Sequence, residues 1–438
     1  MPNSVRGLML LTGVLLGLPP NAPAQRAFSI AVARTNQTAA LVSWKVQSFT
    51  PVGDLILVPE YQVQRSSDLT NWTSLGGPVR GALHQLLSVA DPVPGPAFYR
   101  VQSLISLEYT QMNNVRLSSG DMAGADFFGA SLFNARLDSA NLQRAILAGA
   151  DLRGADLTGA DLAAADLFAA EAADAIFDFA SLAGADASFA DFGGASMVSA
   201  DLTDANLGSA VLAGATLDFA IFRGTILDPD TAIDPKPKLV WQILNQGATN
   251  AVLTNQDLSE VFLEGADLRG ARLNNADLFG ADLEGADLRG VNFTGADLVL
   301  VDFTGTLIDA NTLMNAQSQL VWKILNQNAG AGANLANTNL SGVWLAAANL
   351  NHASLTNANC SNSEFFQANL GNANCTRASF TGSDLSSAIL TNANLTAATM
   401  TSVNLSDANL RNATTNGCNF AGAIFTNTIM PNGSIRNF

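Results

Sequence analysis

Carboxylates arrive every five residues in ADLRGADLTGADLAAADL, where Asp151, Asp156, Asp161 and Asp166 each precede a leucine. A pair of carboxylates can work as general acid and base when unlike surroundings separate their proton affinities. Regular spacing argues against that, because it builds a ladder of equals. The only histidines are His84 and His352, in dissimilar parts of the chain, so no His-centred catalytic group or His-rich metal site is evident. No G-x-x-x-x-G-K phosphate loop occurs, and the many glycines follow the five-residue period instead. Cys360, Cys375 and Cys418 are an odd set that could form one bridge and leave one thiol. All three fall at repeat positions that also hold Leu, Phe or Ala, where Cys acts as a small hydrophobe. The chain therefore reads as non-catalytic, with no cofactor and no metal site.

What element repeats at five? A helix repeats at 3.6 and a strand at 2. On a helix, five residues at about 100° each would scatter Leu152, Leu157, Leu162 and Leu167 around the cylinder. On an extended segment, Ala155 and Leu157 lie two apart and share one face. Small or polar residues such as Thr158-Gly159 then suit a corner. Four corners of about 90° return the chain to its starting direction, so residues twenty apart stack. The central apolar positions run from Leu107 to Leu227, from Leu253 to Ile308, and from Leu335 to Met430. Ala172 and Ala187 are the underfilled exceptions, and Phe380, Met400 and Phe420 fall in one column.

The segments GADLRGADLTGADL, GADLEGADLRG and NANLTAATMTSVNLSDANL closely resemble the pentapeptide-repeat family, A-[D/N]-L-x-x. The resemblance covers most of the chain after Leu107. It implies an all-β right-handed quadrilateral β-helix, a solenoid whose coils bury their central residues against one another. A β-helix polysaccharide lyase is the nearest enzyme idea, and such enzymes need long loops that these minimal coils lack. Some cytosolic members of the family resemble duplex DNA in shape and charge and inhibit DNA gyrase. Asp before the central residue is nevertheless part of the family consensus.

Two interruptions are themselves repeated. LDPDTAIDPKPKLVWQILNQGATN and IDANTLMNAQSQLVWKILNQNAGAGAN share L-V-W-[QK]-I-L-N-Q, at Leu239 to Gln246 and Leu320 to Gln327. Val240, Ile243 and Leu244 have helical spacing, so one amphipathic helix is expected in each insert. Such a helix can lay its apolar face on the solenoid. Alternatively it docks a partner, with Trp241 and Trp322 as anchors. The first reading is favoured.

Before the repeats the texture changes. Arg6, the apolar run Gly7 to Leu18, Pro19-Pro20 and the small residues APA at Ala22 to Ala24 read as an export signal. Cleavage near Gln25 would send the mature protein to the periplasm or beyond. Residues 25–105 contain AALVSWKV, EYQVQRS and FYRVQSL, near-alternating β-branched and aromatic runs separated by turn residues. With Trp44 in an early strand and the run YQVQRSSDLTNWTSLG, this part resembles the fibronectin-III/Ig-like modules of bacterial exported proteins. That resemblance implies a small β-sandwich. Trp44, Trp72 and Tyr99 could form a sugar-stacking platform, although such aromatics more often fill a sandwich core.

The expected order is thus signal 1–24, sandwich 25–105, repeats 106–228, helical insert 229–252, repeats 253–308, helical insert 309–334, repeats 335–430 and tail 431–438. With 48% hydrophobic and 13% charged residues the chain is too apolar for disorder. Its net charge of -16 opposes direct nucleic-acid binding, and no stretch after the signal is long and apolar enough to span a membrane. Residues 107–228 hold 17 acidic and 5 basic side chains, whereas 331–438 hold 3 of each. Matches to the glycosylation pattern at Asn394, Asn404 and Asn412 arise automatically when Asn-Leu precedes Ser or Thr. The functional expectation is an exported interaction scaffold whose partner is another protein. The alternatives are an acidic mimic of nucleic acid that binds a basic protein, and a surface or glycan adhesin acting through the sandwich.

Overall fold

A computed structural model describes residues 107 and 109–437, together with the backbone of nine strands between Ile30 and Leu104. These strands are β1 (Ile30–Asn36), β2 (Ala39–Lys45), β3 (Pro51–Val52), β4 (Leu55–Ile56), β5 (Glu60–Ser66), β6 (Thr73–Ser74), β7 (Val79–Arg80), β8 (Leu86–Asp91) and β9 (Phe98–Leu104). All their pairings are antiparallel: β1-β2-β8 form one sheet, β5 pairs with β6, β7 and β9 in a second, and β3 pairs with β4. The sandwich packing expected for 25–105 and the signal expected for 1–24 lie outside the described residues.

Two compact units make up the chain. One holds the described residues up to Leu217 with Thr225–Ile233, and the other holds Asp218–Gly224 with the residues from Asp234 onward. In the first, parallel bridges join residues twenty apart, from Gln111↔Ser131 through Asn206↔Ile226. The second repeats the pattern from Val252↔Arg272 and again from Asn334↔Ser354 to Asn409↔Ile429. Four five-residue sides make each coil.

One side shows why the period is five. Leu157 N–H donates to the Ile176 carbonyl at 2.7 Å, and Gly159 N–H to the Asp178 carbonyl at 2.8 Å, both on the next coil. Asp156 N–H donates the other way, to the Ala135 carbonyl at 2.9 Å, and Ala160 N–H closes the corner onto the Leu157 carbonyl at 2.9 Å. Four of five amides are thereby used by the backbone. The fifth, Thr158 N–H, donates to Asp156 Oδ1 at 3.1 Å. A buried or half-buried amide without a partner is costly, so the aspartate completes the accounting. The chain must also turn left-handed once per side. Gly159 does this at φ 63°, and Ala164 adopts φ 56° at the next corner. The second is held by its neighbours against an intrinsic cost of roughly 1–2 kcal/mol.

Packing follows directly. Leu152, Leu157, Leu162 and Leu167 have no exposed surface, and the alanines two residues before them are equally buried. Each buried leucine contributes roughly 1.5–3 kcal/mol relative to leaving it in water. Ala172 and Ala187 share a coil with Phe177, and Phe177 meets Phe192 of the next coil edge-on at 5.5 Å. Large and small central residues therefore compensate within the tube.

Helices α1 (Pro235–Gln246) and α2 (Ala316–Gln327) interrupt the coils. Both begin four residues before the shared L-V-W core. Pro235 can open α1 because the first helical position needs no N–H partner. For α2, Asn315 Oδ1 accepts the Ser318 N–H at 2.8 Å. At the end of the chain β10 (Thr428–Ile429) pairs antiparallel with β11 (Ile435–Arg436), and the Arg436 guanidinium lies 3.9 Å over the Phe425 ring.

Candidate interaction surfaces

The four aspartates singled out by spacing stand on four successive sides of one coil, so the fold does not bring them together. Each performs the same local task. Asp151, Asp156, Asp161 and Asp166 accept the N–H of Arg153, Thr158, Ala163 and Phe168 at 3.0–3.2 Å. The second oxygen of Asp161 accepts from Gln143 Nε2. Arg153 forks both oxygens of Asp151 and stands 3.4 Å from Glu171. That hydrogen-bonded guanidinium lowers the Asp151 carboxyl below its ordinary value. Arg269 repeats the arrangement, forking Asp267 and reaching Asp287 at 3.7 Å.

One group of carboxylates gathers around Asp282. Asp282 and Asp302 are bridge partners, and with Glu284 they offer oxygens within 4.8 Å of one another. Burial foremost, reinforced by the charges of Asp302, Glu284 and Glu264, pushes Asp282 up to about 6 against the opposing Glu284 N–H bond. Sequence reasoning passed over this group. The signal was present, because Asp282 and Asp302 stand one coil apart.

Trp241 and Trp322 are half-buried on their helices. Trp322 Nε1 donates to the Thr306 carbonyl at 3.2 Å. The apolar faces pack inward: Val240 and Ile243 in α1, and Val321 and Ile324 in α2, are buried. An unsuspected residue pins each helix. Asn245 Nδ2 donates to the carbonyls of Phe222 and Trp241, while its Oδ1 accepts the Gly224 N–H at 2.8 Å. Asn326 does the same with Phe303, Trp322 and Gly305. The duplicated L-N-Q carried that signal, because it places the same amide at the same step of both helices.

The thiols give no reactive centre. Cys360 and Cys375 are buried and Cys418 half-buried, all three free. Burial pushes Cys375 and Cys418 up to about 12 and Cys360 higher still. A thiolate nucleophile needs the opposite shift. Among the described residues no helix is long and apolar enough to cross a membrane.

Five-residue sides and twenty-residue coils, with Asp or Asn accepting the spare amide on many of the sides, define a parallel β-helix solenoid. The family model for pentapeptide repeats matches residues 135–171, 198–228, 249–285, 280–305, 333–372, 363–401 and 404–437. The chain belongs to the pentapeptide repeat family, whose proteins fold as right-handed β-helices. No curated protein matches the sequence. Among solved structures it is similar to HetL, a pentapeptide repeat protein involved in heterocyst differentiation regulation from the cyanobacterium Nostoc. That match has 24% identity over 75% of this chain and 92% of HetL, with a TM-score of 0.16. QnrB1, a plasmid-mediated fluoroquinolone resistance protein, is 16% identical over 51% of this chain and 99% of its own, with a TM-score of 0.19. A pentapeptide repeat protein of the Arabidopsis thaliana thylakoid lumen is 31% identical over 25% of this chain and 74% of its own, with a TM-score of 0.18.

Proposed function

We propose that this protein is an exported, non-catalytic scaffold that presents the regular sides of its coils to another protein. The observation that carries the reading is the commitment of the repeated Asp and Asn side chains to backbone amides. Groups that could have done acid–base work are instead holding corners. The export signal at 1–24 and a sandwich at 25–105 belong to the same proposal, with a periplasmic or extracellular destination. A pull-down with the mature protein from its native envelope or culture medium tests it. A saturable protein partner supports the reading, whereas a hydrolase or lyase activity abolished by one point mutation overturns it.

Charge favours a more specific version in which a basic protein surface is the partner. Residues 107–228 carry 17 acidic and 5 basic side chains. Opposite potentials of that kind steer association and make it sensitive to salt. Replacing Asp151, Asp156, Asp161 and Asp166 by Asn keeps every backbone acceptor and removes four charges. Capture that weakens in this variant supports the acidic version. Capture indifferent to it removes the charge and leaves the scaffold.

A further inference from the structure

We propose that the cavity beside α2 binds a small amine carried on an aromatic or aliphatic body. The cavity measures about 390 Å³, within the roughly 300–1,000 Å³ common for small-ligand sites. Val301, Phe303, Val321 and Val343 give it an apolar floor, and all four are buried. Asp297, Gln317, Ser318 and Trp344 supply the polar and aromatic rim.

The sister helix fills the corresponding place with different side chains. Counted from each helix, Asp218 corresponds to Val299 and Lys236 to Gln317, and the second insert is one residue longer, so the shared backbone bond matches Glu260 to Gly342. At α1, Lys236 Nζ spans the gap, 3.6 Å from Asp218, 3.5 Å from Asp257 and 3.1 Å from Ser259 Oγ. At α2, Gln317 instead donates to the Ser341 carbonyl at 2.8 Å. Gly342 stands opposite Val299, and a Cβ there would lie 3.0 Å from Val299 Cγ1. The same backbone bond joins the flanking coils at both places, Phe219 N–H to the Glu260 carbonyl and Leu300 N–H to the Gly342 carbonyl. One copy thus carries a lysine tie across the helix. The other carries short, uncharged side chains and a cavity.

The lining chooses the ligand. Asp297 is its single charged residue, and none of its residues is basic. Asp297 Oδ1 accepts the Val299 N–H at 3.0 Å, which leaves Oδ2 for a ligand. Trp344 occupies the position before a central leucine, where the coils ordinarily place an Asx acceptor. Its ring therefore does not serve the corner, and it suits a cation, as the carboxylate does.

Calorimetric titration of the full chain with phenethylamine, and with 2-phenylethanol as its neutral counterpart, decides the matter. The expected result is saturable binding of one amine per chain and at least about tenfold weaker binding of the alcohol. Asp297→Asn keeps the acceptor for Val299 N–H and should weaken the amine about tenfold while leaving the alcohol unchanged. Writing the lysine tie into α2 with Val299→Asp, Gln317→Lys and Asn339→Asp, where Asn339 holds the Ser341 N–H as Asp257 holds the Ser259 N–H, should abolish binding at an unchanged melting temperature. No saturable heat at about 10 mM amine, equal binding of amine and alcohol, or undiminished binding in Asp297→Asn would each overturn the proposal. Should the triple variant fail to fold, Asp297→Asn alone decides it. The outcome does not depend on the scaffold reading, since a pull-down partner can exist with or without this site.

Discussion

The coils of 107–228 and those of 335–430 share one backbone and differ in what they show to water. In the first, Asp156 Oδ1 holds the Thr158 N–H at 3.1 Å; in the second, Asn394 Oδ1 holds the Thr396 N–H at 3.1 Å. The fold asks only for an oxygen there. Between coils the two choices part company, because an amide can also donate and a carboxylate cannot. At this position Asn359 donates to Asn339 at 3.1 Å, and at the corners Asn357 donates to Asn337 at 3.1 Å while Asn392 and Asn412 form a separate ladder at 3.3 Å. Stacked carboxylates cannot donate to one another, and Arg153 stands between Asp151 and Glu171 as Arg269 does between Asp267 and Asp287. Charge on these coils is thus a property the backbone leaves free, which makes it informative about partners.

The largest effect should be blind to the difference. Leu157→Ala and Leu390→Ala each remove a wholly buried side chain and should each cost about 2–5 kcal/mol in denaturant unfolding. A loss confined to one block would mean that the two cores are not alike. Next comes the acceptor. Asp156→Ala and Asn394→Ala should each lose about 1 kcal/mol, whereas Asp156→Asn and Asn394→Asp should melt close to the parent. A large penalty for either exchange would break the claim that one oxygen suffices.

Third, Asp282 sharpens the contrast through pH. Its folded value of about 6 lies above the usual 3.8, so the folded chain holds a proton between those limits that the unfolded chain releases. Stability from this group is therefore highest below pH 3.8, declines as pH rises toward 6, and stays lower above. Asp282→Asn keeps the Glu284 N–H acceptor and should raise the melting temperature at pH 7.5 by more than at pH 4.5. An equal shift at both would detach the effect from ionisation. The smallest effect belongs to Arg153→Gln, whose exposed pairing with Asp151 and Glu171 should leave the melting temperature almost unmoved, with any shift fading in high salt.

Much of this architecture was legible before any coordinates. The five-residue recurrence of Ala-Asp-Leu forces two side chains inward and a corner after them, and the bridges fall where it puts them. Residues 239–246 and 320–327 are helical as their spacing requires. The helix starts were less readable, because Pro235 and Pro237 resemble breakers until one sees that the first turn needs no backbone partner. The role of Asp156 was hidden for another reason. Only the hydrogen-bond accounting of a whole side reveals an amide that the coils cannot serve. Asn245 and Asn326 escaped because an exposed-looking amide on a helix gives no hint of the carbonyl it will meet. The cavity beside α2 lies where two near-copies differ, Gln317 against Lys236 and Gly342 against Glu260, which a search for similarity overlooks.

The short hairpin of β10 and β11 carries a last consequence. A tube of stacked parallel bridges would otherwise finish on a row of unspent donors and acceptors, a template on which another molecule could continue the stack. Here the chain doubles back antiparallel, Thr428 Oγ1 donates to the Leu405 carbonyl at 2.7 Å, and Arg436 lies across Phe425. The pairing of Thr428 with Arg436 and of Ile429 with Ile435 thereby spends, within the chain, backbone groups on which a further parallel rung could have formed.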